Sequence, residues 1–91
     1  MTTLFQIPRV LRQYCDDQDQ LRLPGATVGE LLGELKLSHP QLYQCVCNET
    51  GAVRQHIHLF VNHDLLRDCG GLAARLGPGD IVSVFQAVSG G

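Results

Sequence analysis

The chain has 91 residues and a formal charge of −2, enough for one domain with one modest core and without the basic face that an electrostatically driven nucleic-acid binder shows. No apolar run approaches the ~20 residues that cross a bilayer, and the start Met1-Thr2-Thr3-Leu4-Phe5-Gln6 lacks the basic and apolar regions of a signal peptide. A cytoplasmic location with reduced thiols is expected, and neither nucleic acid nor membrane is expected as a partner.

Phe5-Gln6-Ile7-Pro8-Arg9-Val10-Leu11 reads as a first strand, with Pro8 confining it to an edge or a bulge. A polar connection, Cys15 to Gln20, leads to a short second strand at Leu21-Arg22-Leu23, closed by the turn signal Pro24-Gly25. Together these predict an opening hairpin with a long connection. Thr27-Val28-Gly29-Glu30 then has the capping-box pattern, and Val28, Leu31, Leu32 and Leu35 recur at helical spacing. The spacing predicts a helix with one apolar face to lay on a sheet. Gly29 and Gly33 weaken it by about 1 kcal/mol each relative to alanine and are expected to permit close packing on that sheet.

Ser38-His39-Pro40 opens a second, shorter helix with proline in its first turn; Leu42, Tyr43 and Val46 supply its apolar contacts, and Asn48-Glu49-Thr50-Gly51 stops it. Ile57, Leu59 and Val61 alternate with His56, His58 and Phe60 in a third strand, which puts Phe60 outward beside the histidines. Asn62-His63-Asp64 is a turn, Leu65-Leu66-Arg67 a short strand, Cys69-Gly70-Gly71 a break and Leu72 to Leu76 about one helical turn. After Gly77-Pro78-Gly79-Asp80 comes a last, β-branched strand to Phe85, with Val82 and Val84 inward and Ile81, Ser83 and Phe85 outward. Strands arranged around one main helix predict an α+β fold, a sheet with that helix packed across one face and the first and last strands together at its centre.

The cysteines Cys15, Cys45, Cys47 and Cys69 include no Cys-x-x-Cys pair. Cys45, Cys47, His56 and His58 are the residues from which a metal-binding domain would be built. No second pair has matching ligand spacing, so no metal is expected and the cysteines read as structural. The tail Gln86-Ala87-Val88-Ser89-Gly90-Gly91 bears no charged side chain before its carboxylate. A frayed end has the same composition. Its place directly after a final core strand instead suits threading into a narrow channel where the carboxylate reacts and where any Cβ would obstruct passage.

The pattern Leu59-Phe60-Val61-Asn62, Arg67, Gly70-Gly71-Leu72, Leu76, Gly79-Asp80, Val82 and Ala87-Val88-Ser89-Gly90-Gly91 resembles the ubiquitin-like sulfur carriers. These are the thiamine and molybdopterin carriers (the ThiS/MoaD family), with relatives serving cysteine biosynthesis. The resemblance covers most of the chain, is strongest after Leu59, and implies a β-grasp fold, a mixed sheet with one main helix, over residues 1–85 with a flexible tail at 86–91. It implies that an E1-like adenylating and sulfur-transferring enzyme, using ATP and Mg²⁺, activates the Gly91 carboxylate. Gly91 then becomes a thiocarboxylate, which donates its sulfur to a sulfur-accepting synthase. Gly90, Ser89, Val88 and Ala87 are the tail that enters these partners. Phe60, Phe85 and His58 are the expected docking residues at its root, unless the short helices cover the phenylalanines. The carrier needs no bound cofactor and no catalytic base of its own, and is not an enzyme. Gln86 stands where many relatives have proline, and Ser89 where alanine is common. The segment 38–54 is longer than in compact thiamine carriers and favours the molybdopterin-type or cysteine-type branch. Two alternatives remain open on these residues: a small subunit of a molybdopterin synthase, or a modifier conjugated to lysines through Gly91.

Overall fold

A computed structural model describes residues 2–86 of the chain. Five strands, β1 (Thr2–Gln6), β2 (Gln20–Pro24), β3 (Ile57–Val61), β4 (Asp64–Leu65) and β5 (Ile81–Gln86), form one sheet in the order β2-β1-β5-β3-β4. β1 and β5 run parallel at its centre, and the other pairings are antiparallel. The mixed sheet and its two central strands agree with the sequence reading. Helix α1 (Val28–Ser38) buries Val28, Leu31, Leu32 and Leu35 against the sheet's inner face, where Phe5, Leu21, Leu23, Leu59, Val82 and Val84 complete the core. Helix α2 (Pro40–Val46) extends that layer with Leu42 and Val46, both fully buried.

The first strand is shorter and earlier than Phe5–Leu11. Pro8 has no N–H to give the ladder, and its carbonyl instead accepts from the Leu11 amide at 3.0 Å, opening a 3-10 helix at Arg9–Cys15. That helix buries Leu11 and Cys15, four residues apart, and turns Val10 outward. It ends where Asp16 and Asp17 both take positive φ. The connection between β1 and β2 is therefore structured, and Ile7 still reaches across it to the Asp19 carbonyl at 2.9 Å.

Around α1 the local signals hold, with two differences. The Glu30 amide donates to the Thr27 hydroxyl at 3.2 Å, but the Glu30 carboxylate reaches past Thr27 to accept from the Ala26 amide at 3.3 Å. Neither glycine of the helix packs on the sheet. A Cβ at Gly29 would come within 3.2 Å of the Leu72 carbonyl, and one at Gly33 would meet nothing within 4 Å. The glycine this helix needs is Gly25, which has φ +152° and whose Cβ would fall 2.7 Å from the Leu31 amide nitrogen.

Beyond β3, Asn62 takes positive φ and continues the sheet with both backbone and side chain. Its amide donates to the Ile81 carbonyl at 2.7 Å, its side-chain oxygen accepts from the Ile81 amide at 3.1 Å, and its Nδ2 donates to Asp80 at 3.1 Å. The expected strand at Leu65-Leu66-Arg67 is pared to β4, because Leu66 turns into the core and starts a 3-10 turn at Leu66–Asp68. The helical turn expected from Leu72 to Leu76 is a 3-10 turn at Gly71–Ala73. Residues 74–76 then dock in extended form on the start of α1, with Val28 donating to the Ala74 carbonyl at 3.0 Å and Leu76 to that of Ala26 at 2.9 Å.

Two predictions follow from these contacts. Gly33→Ala is expected to raise unfolding stability by about 0.5–1 kcal/mol in urea titrations, since the helix gains propensity and nothing is displaced; Gly25→Ala is expected to lower it. The Asp80 carboxyl accepts from the Gly77 amide at 2.8 Å and from Asn62, and these bonds hold its pKa below the ordinary value. The lowered value stabilises the fold fully above the ordinary aspartate range, and that contribution disappears as pH falls through the folded pKa. Asp80→Asn should therefore lower the thermal midpoint at neutral pH, and the difference from wild type should shrink below pH 4.

Candidate functional site

Helices cover the inner face of the sheet; its outer face is built by the alternate residues of the three middle strands. β1 contributes Leu4 and Gln6, β5 contributes Ile81, Ser83 and Phe85, and β3 contributes His58 and Phe60. The antiparallel register sets His58 opposite Phe85 and Phe60 opposite Ser83, which makes the two phenylalanines diagonal neighbours. Their rings meet edge to face, with centroids 5.2 Å apart at 86°, a geometry in which the positive edge of one ring faces the negative face of the other. Phe85 remains 55% exposed and Phe60 half-buried. No helix lies over them among the described residues. Between them Ser83 is buried and donates to the Gln6 side-chain oxygen at 3.2 Å. Together with His58, Asn62 and His63 these residues line an open groove of ≈590 Å³.

The aromatic pair and His58 thus come together as the strand register required. Gln86 pairs with Ile57 at the end of β5, so the strand runs one residue beyond Phe85. Ala87, Val88, Ser89, Gly90 and Gly91 lie outside the described residues. What the structure adds is the point from which they depart, next to the exposed ring of Phe85. Leu4 and Gln6 belong to the same face; Leu4 lies before the strand expected at Phe5–Leu11, and Gln6 lies within it without being assigned to the face. The alternation of Thr3 and Phe5 with Leu4 and Gln6 was the signal that would have found them.

The four residues considered for a metal do not share one site: Cys45 and His56 line a groove beside Gln86, Cys47 is buried at the C-terminal end of α2, and His58 faces outward from the sheet. No group of three or more potential metal ligands occurs among the described residues. Burial pushes all four thiols above the ordinary cysteine pKa, and the Cys15 thiol donates to the carbonyls of Gln18 and Arg12 at 3.4 and 3.5 Å. No described helix is long and apolar enough to cross a membrane.

The chain matches the family model described as the ThiS family over residues 3–91. It is 27% identical over 93 residues to the sulfur carrier protein CysO of Mycobacterium tuberculosis, with 100% of both chains covered. The crystal structure of that species' CysO superposes with a TM-score of 0.85 at 25% identity, covering 94% of this chain and 99% of that one. CysO in the Amycolatopsis orientalis BexX/CysO complex gives 0.87 at 28% identity over 98% and 99% of the two chains. SAMP1 of Haloferax volcanii gives 0.83 at 26% identity over the full length of both. The fold is the ubiquitin-like β-grasp, and the chain belongs to the ThiS family of ubiquitin-like sulfur carriers.

Proposed function

We propose that the Gly91 carboxylate is the sulfur-carrying group. An E1-like enzyme, using ATP and Mg²⁺, joins it to AMP; sulfide sulfur displaces AMP at the acyl carbon and leaves a terminal thiocarboxylate. A synthase then joins that sulfur to its acceptor, and water cleaves the acyl–sulfur bond, which leaves the sulfur on the acceptor and restores the Gly91 carboxylate. The observation that carries this reading is the extent of the family match, which continues past β5 through Gly90 and Gly91. The chemistry follows from elementary considerations. A carboxylate is a poor electrophile, AMP is a good leaving group, and a thiocarboxylate holds reactive sulfur as one covalent group apart from bulk thiols. The likeness to CysO over the whole chain supports the cysteine-type branch; the cytoplasm is the setting we propose for it.

Docking is assigned to the outer sheet face. Phe85 and Phe60 provide aromatic surface of the kind that dominates binding energy once desolvated, and His58 stands opposite Phe85 in the register. A carrier needs this separation of tasks, since the folded face selects the partner while the glycines present only backbone to its catalytic groups. BexX in the A. orientalis complex is a precedent for a CysO held by a second protein. A second reading, conjugation of Gly91 to lysines, draws on the likeness to SAMP1. Recovery of lysine-linked conjugates from cells would favour it.

The deciding experiment is intact-mass measurement after incubation with ATP, Mg²⁺, a sulfide source and the host's adenylating enzyme. The expected result is the mass gain of one sulfur replacing one oxygen, absent without ATP and absent after deletion of Gly91. That deletion should leave the unfolding curve unchanged, because the described core closes on itself between Phe5 and Val84; a large fall in stability would show the terminus to be structural. No gain with any adenylating enzyme of the host would overturn the carrier chemistry. Phe85→Ser removes an exposed ring and should raise the KM for the carrier about tenfold, as expected for a central interface aromatic. An unchanged KM would move docking elsewhere.

A further inference from the structure

The sequence holds one lysine, Lys36, against six arginines. For a chain whose carboxyl end is activated this count matters. An arginine guanidinium stays protonated in proteins and has no electron pair to give. A lysine ammonium that loses a proton is an amine nucleophile, and an amine that attacks an activated acyl group forms a stable amide. The side-chain amine that one copy of this protein presents to the activated Gly91 of another is therefore always Lys36.

The fold sets where that amine stands. Lys36 is exposed in the last turn of α1. Its Nζ lies 5.7 Å from the centroid of the Tyr43 ring of α2, within the range at which an ammonium is attracted to a ring face. The contact holds the end of a long side chain at one place, in an open groove of ≈460 Å³ that Gln44, Asn48 and Thr50 also line. Beyond Ser89 the tail brings only the backbone of Gly90 and Gly91, so an acceptor groove for it needs polar groups and no side-chain pocket. α1 and α2 belong to the layer on the inner face of the sheet, whereas Phe60 and Phe85 lie on the outer face. A carrier docked through its outer face thus keeps Lys36 on the far side, open to other copies.

We propose that Lys36 is the self-conjugation site of this protein, at which Gly91 of one copy, activated and not met by sulfide, is captured as an amide by a second copy. Nζ attacks the acyl carbon of the adenylate and the Nζ–carbon bond forms. The bond from the acyl carbon to the phosphate oxygen breaks, its electron pair leaves on AMP, and the protons of the ammonium pass to water. No electrons are exchanged with an outside donor or acceptor. The inference rests on the activation of Gly91 and adds a second fate for the activated group. Because each copy offers one side-chain amine and one terminal carboxylate, the product grows as an unbranched chain.

The test starts from an adenylating enzyme that has given the sulfur-for-oxygen mass gain with wild-type carrier, so failure of activation is seen separately. With ATP and Mg²⁺ in an amine-free buffer and no sulfide, wild type is expected to give a species of two carrier masses less one water, stable to dithiothreitol. Its tryptic digest should contain residues 76–91 joined to residues 23–54 through Lys36. Lys36→Arg keeps a cation at this position and is expected to remove the species while leaving the mass gain with sulfide unchanged. The proposal is overturned by linked species that persist in Lys36→Arg, that dithiothreitol dissolves as it does thioesters to cysteine, or that join residues 76–91 to the α-amine of the chain. The absence of any linked species from an enzyme that activates wild-type carrier overturns it as well.

Discussion

The pairing of β1 with β5 is the contact on which the rest depends. Leu4, Phe5 and Gln6 lie beside Ile81, Val82 and Ser83 in parallel register, so the two ends of the described chain meet at the centre of the sheet. A parallel pair cannot be closed by a tight turn and needs a crossover; here everything between the strands serves as one. α1 lies across the inner face because that crossover must cover Phe5 and Val82, both fully buried. With the inner face occupied, the outer face is left for other molecules. Centrality also gives β5 neighbours on both sides, which fixes the direction in which the chain leaves the domain.

The aromatic surface is in this sense a by-product of register. Phe60 and Phe85 are 25 positions apart in sequence and touch only because Leu59 faces Val84 on the other side of the same ladder. Between the rings the Ser83 hydroxyl donates to the Gln6 side-chain oxygen, so this buried hydroxyl enters the face already paired. Asn62 seals the lower end of the same ladder by pairing both polar groups of Ile81. A face built this way is stiff, and stiffness reduces the entropy lost when it is buried against a partner.

What could be read in the sequence was what has a period or a cap. The Thr27 cap with its Val28-to-Leu35 stripe, the alternation from Ile57 to Val61, and the inward placement of Val82 and Val84 all emerged at the expected positions. The aromatic pair followed from the alternation once β3 and β5 were taken as neighbours. The segments misread were those too short to show a period. Arg9–Cys15 offers one spacing of four, between Leu11 and Cys15, set in a run that reads equally well as strand until Pro8 is counted as a terminator. Leu66–Asp68 and Gly71–Ala73 are single 3-10 turns, fixed by what they pack against rather than by their own residues.

The central place of β5 has a consequence for how the protein comes into being. The strand that completes the sheet is the last to emerge during synthesis, and without it β1 and β3 have no common neighbour. Chains that end within that strand therefore lose the centre of the sheet and the Phe60–Phe85 pair of its outer face together.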